Sequence, residues 1–92
     1  MIRSFADKET EALFLNGKIR RYAAIVAVAR RKLQVLDNTR RLDDLRELAG
    51  NRLEALKGDR KGQYSIRIND QYRICFAWNE TEPHDVEIVD YH

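Results

Sequence analysis

Apolar positions along the chain follow two periods, and the change comes near Gly50. From about Arg20 to Leu36 there is no Gly or Pro, and Tyr22, Val26, Ala29, Leu33 and Leu36 recur at three- and four-residue steps. That spacing gathers them on one helical face. Ahead of this stretch, Asp7 stands where a helix N-cap would, and Glu9 and Glu11 suit the positive end of the macrodipole. Asn16-Gly17 tolerates a left-handed stop, so a brief helix is predicted from about Lys8 to Leu15. Leu42, Leu45 and Leu48 suit one short helical turn, while Ile2 to Phe5 reads as an edge strand.

After Gly50 the period becomes two. In Gln63–Ile68, Tyr64, Ile66 and Ile68 share one face and Gln63, Ser65 and Arg67 the other. Tyr72–Trp78 repeats the design, with Tyr72, Ile74, Phe76 and Trp78 opposed to Arg73, Cys75 and Ala77. A three-residue loop, Asn69-Asp70-Gln71, pairs Ile68 with Tyr72, Ile66 with Ile74 and Tyr64 with Phe76, keeping every apolar residue on one side. Leu53 to Leu56 adds a strand before the turn, and a last strand over about Asp85 to Tyr91 follows a loop containing Pro83. Helices first and an antiparallel meander afterwards predict an α+β fold, with N-terminal helices on one face of a small sheet and the other face open.

With 92 residues, one domain over residues 1–92 is expected, since two cores cannot be filled from this length. Seventeen basic residues against fifteen acidic leave a formal charge of +2, so any basic function must be local. Cys75 is the one cysteine, and the N-terminus does not read as an apolar signal segment, which fits a reducing cytoplasm. The longest apolar run, Tyr22 to Ala29, falls far short of the roughly 20 residues that span a bilayer, so no membrane role is expected.

The predicted register puts Arg67 directly opposite Arg73. Like charges facing across a ladder are destabilising, so the pair either finds acids such as Glu54, Asp59 or Asp90 or receives a phosphate. Lys57, Arg60 and Lys61 crowd the Lys57-to-Gly62 turn near the end of the same sheet, and Arg30-Arg31-Lys32 forms either a solvated helix face or an RNA-backbone contact. The chain closes on Glu87-Ile88-Val89-Asp90-Tyr91-His92, and alternation alone leaves open which of Asp90, Tyr91 and His92 reaches the open face. An acid, a phenol, an imidazole and nearby arginines can together process an RNA phosphodiester. One group takes the 2′-hydroxyl proton, another stabilises the phosphorane charge and a third protonates the leaving 5′-oxygen. No metal-ligand cluster or glycine-rich phosphate motif is present in the sequence, so no cofactor is expected.

The opening "MIRSF", the block "LKGDRKGQYSIRINDQYRICF" from Leu56 to Phe76 and the closing "VEIVDYH" resemble the HigB branch of the RelE-type toxins. These are toxins of type II toxin–antitoxin systems, also described as plasmid-maintenance killer proteins. The resemblance implies a microbial-RNase-like fold that enters the ribosomal A site and cuts translated mRNA without metal. It also implies neutralisation by a HigA-type helix-turn-helix antitoxin, with operator DNA bound only through that partner. Carried over by position, Arg73, Asp90, Tyr91 and His92 match residues implicated in catalysis, and Lys57 lies in the matching basic turn. Glu54 stands where some relatives have a histidine, and glutamate serves more readily as a base than as an acid near neutrality. On this reading Arg73 stabilises the transition state, His92 or Glu54 transfers protons, Tyr91 orients and Asp90 holds His92. Lys57, Arg60, Lys61 and Arg67 bind phosphate. The competing readings are a non-catalytic RNA- or ribosome-binding regulator and a protein-interaction subunit.

Overall fold

The computed structural model describes residues 1–48 and 50–90. Three α-helices, α1 (Lys8–Phe14), α2 (Val26–Asn38) and α3 (Leu42–Glu47), precede four strands, β1 (Glu54–Ala55), β2 (Gln63–Arg67), β3 (Tyr72–Asn79) and β4 (Glu82–Asp90). The strands form one antiparallel sheet in chain order. This is the α+β arrangement expected from the change of period.

The apolar stripe of the helices packs on one sheet face. Leu13, Tyr22, Ile25, Ala29, Leu33, Leu36 and Leu45 meet Ile66, Ile68, Ile74, Phe76, Val86 and Ile88 in a continuous buried core. The hydrophobic residues of β2 and β3 point into this core because the register is the predicted one: Ile66 opposes Ile74, Tyr64 opposes Phe76, and Ile68 N–H donates to Tyr72 O at 3.0 Å. Helix α1 is fastened to β4 as well, where the Thr10 hydroxyl accepts from Ile88 N–H at 3.0 Å.

Several elements differ from the sequence expectation. Arg20–Ile25 is a 3-10 helix leading into α2. Tyr22 and Ile25, three residues apart, are both buried, and the tighter winding stacks them on the same side. Asp7 occupies the N-cap backbone position of α1, but its side chain makes no capping hydrogen bond. Asn16 alone of the Asn16-Gly17 pair takes the left-handed conformation, at φ 72°.

Pro83 lies within β4, opposite Trp78, instead of in a loop. Proline is tolerated there because it stands near the start of β4, an edge strand of the sheet, and its carbonyl accepts from Arg3 N–H at 2.9 Å. Further along β4 the register shifts between Cys75 and Ala77, and Asp85 has φ 53° at this bulge. The N-terminal segment braces it. Ser4 Oγ accepts from Asp85 N–H at 2.9 Å, and Phe5 makes an isolated parallel bridge with Val86 in place of the edge strand expected over Ile2–Phe5.

Candidate functional site

The sheet face away from the helices carries the charged cluster. Register places Arg67 opposite Arg73, Glu54 opposite Ser65, and Cys75 opposite Glu87. The face is less open than the alternation implies, because Ser65 and Cys75 are 0% exposed and Arg73 only 8%. Long side chains lie down across their smaller neighbours.

Arg73 is the best-anchored of these groups. Its Nε donates to Ser65 Oγ at 2.7 Å, and its Nη2 donates to the Arg52 carbonyl at 2.6 Å and, longer, to the Ser65 carbonyl at 3.4 Å. Arg52 has φ 46°, a left-handed conformation uncommon for a side chain of its size. Nη1 of Arg73 lies 3.7 Å from Glu54 Oε1, whose side chain is 52% exposed on β1. A guanidinium held at two corners by neutral oxygens cannot swing away without breaking those bonds. Such fixed donors suit a charge that develops at a defined place.

Arg67 is placed differently. It forms an ion pair with Asp70 in the turn that follows β2. The two arginines thus have acid partners within the chain, Glu54 for Arg73 and Asp70 for Arg67, the first of which was among the acids foreseen.

The basic turn forms a 3-10 helix over Gly58–Arg60, entered and left through Gly58 at φ 64° and Gly62 at φ 95°. Arg60 leans back over the sheet, its Nη1 2.8 Å from Glu87 Oε1 and 3.0 Å from Gln63 Oε1. Lys57 and Lys61 are exposed. Beneath this layer, burial pushes the Cys75 thiol above its ordinary pKa. The positive charges of Arg60 and Arg73 act against that rise, and Glu87 adds to it.

Asp90 is exposed at the end of β4 and accepts from Gln71 Nε2 at 3.2 Å. Its ladder partner is Tyr72, so register assigns it to the face opposite Arg73. Tyr91 and His92, the other two expected groups of the terminus, lie outside the described residues. The structure therefore brings together Arg73, Glu54 and Arg67, with Arg60 on the same face. Among the described residues no group of three or more His, Cys, Asp or Glu could hold a metal ion.

Two elements of the site were not singled out from sequence. Ser65 was legible in part, since alternation puts it between Arg67 and Gln63 on the right face. The Arg52 carbonyl was not, because a backbone oxygen carries no residue-type signal.

A family model described as RelE-like toxin of type II toxin–antitoxin system HigB matches residues 3–92. Toxin HigB-1 of Vibrio cholerae serotype O1 is 41% identical over 80 residues, covering 85% of this chain and 84% of its own length. Endoribonuclease HigB of Proteus vulgaris is 31% identical over 93 aligned positions, covering 100% of both. Among solved structures, the YoeB-YefM complex from Staphylococcus aureus contains a chain that superposes with a TM-score of 0.62 at 18% identity. The match covers 100% of this chain and 98% of that one, a likeness of fold.

Proposed function

The chain belongs to the HigB-like toxins, the RelE-like toxins of type II toxin–antitoxin systems, and from that premise we propose that it is an endoribonuclease that cuts mRNA on the ribosome and so stops translation. The observation that carries this reading is the seat of Arg73: a guanidinium locked against Ser65 and the Arg52 carbonyl, with a carboxylate, Glu54, beside it. The Proteus vulgaris relative bears the name endoribonuclease and aligns over the whole chain.

The chemistry needs no redox partner and no group from outside the chain. The 2′-oxygen of one nucleotide forms a bond to the neighbouring phosphorus, and the bond from phosphorus to the 5′-oxygen of the next nucleotide breaks. A base removes the 2′-proton and an acid supplies one to the leaving 5′-oxygen, leaving a cyclic phosphate and a free 5′-hydroxyl. Arg73 donates to the phosphorane oxygens, which carry more charge in the transition state than in the substrate. Glu54, within ion-pair range of that guanidinium, accepts the proton. His92 transfers the other and Tyr91 orients the phosphate, while Asp90, on the face away from Arg73, takes no part at the phosphorus. Lys57, Arg60, Lys61 and Arg67 hold the flanking backbone.

A member of a toxin–antitoxin family has an antitoxin as its partner. Here that partner is a HigA-type helix-turn-helix protein, and the complex reaches operator DNA through it. The toxin acts as one domain in the cytoplasm, in the ribosomal A site. Among the described residues no helix is long and apolar enough to cross a membrane.

The test is induction of the wild type and Arg73→Ala at equal soluble level in bacterial cells, with mRNA 5′ ends mapped by primer extension. In-frame cuts within translated regions, absent for Arg73→Ala, are expected. Growth arrest without new 5′ ends would replace the nuclease with a non-catalytic inhibitor of the ribosome.

A further inference from the structure

The run Arg30-Arg31-Lys32 is divided by the fold. Arg30 turns back onto the end of α1, its Nε donating to Leu13 O at 2.8 Å and its Nη2 to Gly17 O at 2.7 Å. It is spent on closing a loop. Arg31 stays exposed, while Lys32 reaches the other way and places its Nζ 2.5 Å from Asn51 Oδ1.

Asn51 makes this contact significant. It is 2% exposed, its Nδ2 donates to Leu45 O at 3.2 Å, and its own carbonyl accepts from Arg67 N–H at 2.6 Å. Buried Asn51 therefore links the Lys32 ammonium, through its side-chain oxygen, to the end of β2 that bears Arg67, through its backbone carbonyl. Arg67 in turn is the cross-strand neighbour of Arg73, and such neighbours lie about 4.5–5.5 Å apart. Asn51 and the β2–β3 register thus relate Lys32 on α2 to Arg67 and Arg73 at the candidate site.

We propose that Arg31, Lys32 and Arg67 form an anion track, continuous with the Arg73 site, that holds the phosphodiester backbone of a single RNA strand. The charge balance along the track favours it. Among the described residues the ion pair given to these three cations is that of Arg67 with Asp70. Burial lowers the pKa of Lys32, and the positive charges of Arg31 and Arg67 add to that fall. Three cations crowded together with one carboxylate are relieved by a bound anion. The cleft beside them, about 190 Å³, is lined by Arg31, Lys32, Val35, Leu48 and Asn51, and Leu48 is 45% exposed. An apolar wall next to a cationic rim matches a nucleotide, with the base against Leu48 and Val35 and the phosphate on the rim. Continuity with Arg73 selects RNA over an acidic peptide, since the strand cut at Arg73 must leave the site in some direction. The assignment rests on the nuclease reading for that choice of occupant.

The test uses the full chain and a short single-stranded 2′-O-methyl oligoribonucleotide, which cannot be cut by 2′-oxygen attack, titrated at several salt concentrations. Arg31→Ala and the double variant Arg31→Ala/Lys32→Gln, in which glutamine keeps a polar group against Asn51, are compared with Arg3→Ala. Arg3 pairs with Glu82 at the start of β4. The slope of log affinity against log salt should fall by about 0.7 for each lost contact, with Arg3→Ala unchanged. Unchanged slopes in variants whose urea midpoints match the wild type, or no binding of the oligonucleotide by the wild type, would overturn the track. Loss of antitoxin affinity with RNA binding intact would overturn it in favour of a protein partner. The two readings fail separately. If wild-type protein cuts no mRNA in cells while the slopes still fall, the track stands without the nuclease. Normal cutting with unchanged slopes leaves the nuclease without the track.

Discussion

Arg67 and Arg73 face each other across β2 and β3, yet one is held by the surface and the other by the interior. Arg67 pairs with Asp70, which is almost fully exposed, whereas Arg73 is laid over Ser65 and pinned to the Arg52 carbonyl. Substitution should separate them. Arg73→Ala removes charge-assisted hydrogen bonds in a buried setting and is expected to cost about 1–3 kcal/mol of stability as well as about 10²–10³-fold in cleavage. Arg73→Lys should not restore activity, because an ammonium cannot reproduce the planar fork that engages Ser65 and a phosphate together. Arg67→Ala should lower stability by less than about 1 kcal/mol and weaken RNA binding more than it slows cleavage. Urea denaturation and single-turnover cleavage by the three variants check this.

Glu54 and Arg73 approach to 3.7 Å, but the Glu54 side chain is half exposed, so the pair is worth little to the fold. Glu54→Gln keeps the shape and removes the proton acceptor. Its urea midpoint should stay near that of the wild type while cleavage falls by about 10²-fold. Equal cleavage rates for the two proteins at matched stability would assign the base elsewhere.

Local and cross-strand pattern was legible where one period dominates. The pairing of β2 with β3 followed from alternation plus a three-residue turn, since a slip by one residue would turn Ile66 and Ile74 outward. The 3-10 geometry of Arg20–Ile25 was not legible, because over six residues spacings of three and four fit both windings. The expected loop around Pro83 is instead part of β4. What admits the proline is its place near the start of an edge strand, a placement set by how the strands order in the sheet. The site divides the same way. The Arg67–Arg73 pair came from register, but the seat of Arg73 depends on the Arg52 backbone, and the turning of Arg30 depends on where α1 ends. Residue type alone does not encode such long-range backbone partners.

Gly17 is required by space, not by an unusual backbone conformation. A Cβ there would lie 2.7 Å from the Ala12 carbonyl oxygen, the same oxygen that accepts from Gly17 N–H at 2.6 Å. Arg30 Nη2 donates to the Gly17 carbonyl at 2.7 Å, so a shift of the loop would strain that bond. Gly17→Ala should destabilise by about 1–3 kcal/mol, measured by urea denaturation. The site should stay intact, with cleavage near the wild-type rate when the protein is assayed well below its melting temperature.

Cys75 reports on the layer of side chains above it. Its thiol is fully buried and its pKa is raised above the ordinary 9.0, with burial as the largest cause. The unfolded chain therefore loses this proton at a lower pH than the folded chain does. Below the unfolded value both states hold the proton and the group contributes no pH dependence. As pH rises past that value, the unfolded state binds fewer protons, so stability falls until the folded thiol also ionises. Urea midpoints of the wild type measured from about pH 7 to about pH 10 should fall more steeply than those of Cys75→Ala, which lacks the titrating group. At neutral pH the native thiol should react with an aromatic disulfide reagent far more slowly than the urea-unfolded thiol does. Rapid reaction of the native protein would mean that the layer of Arg60, Glu87 and Arg73 opens readily. Arg73 would then not be the fixed donor that the cleavage chemistry requires.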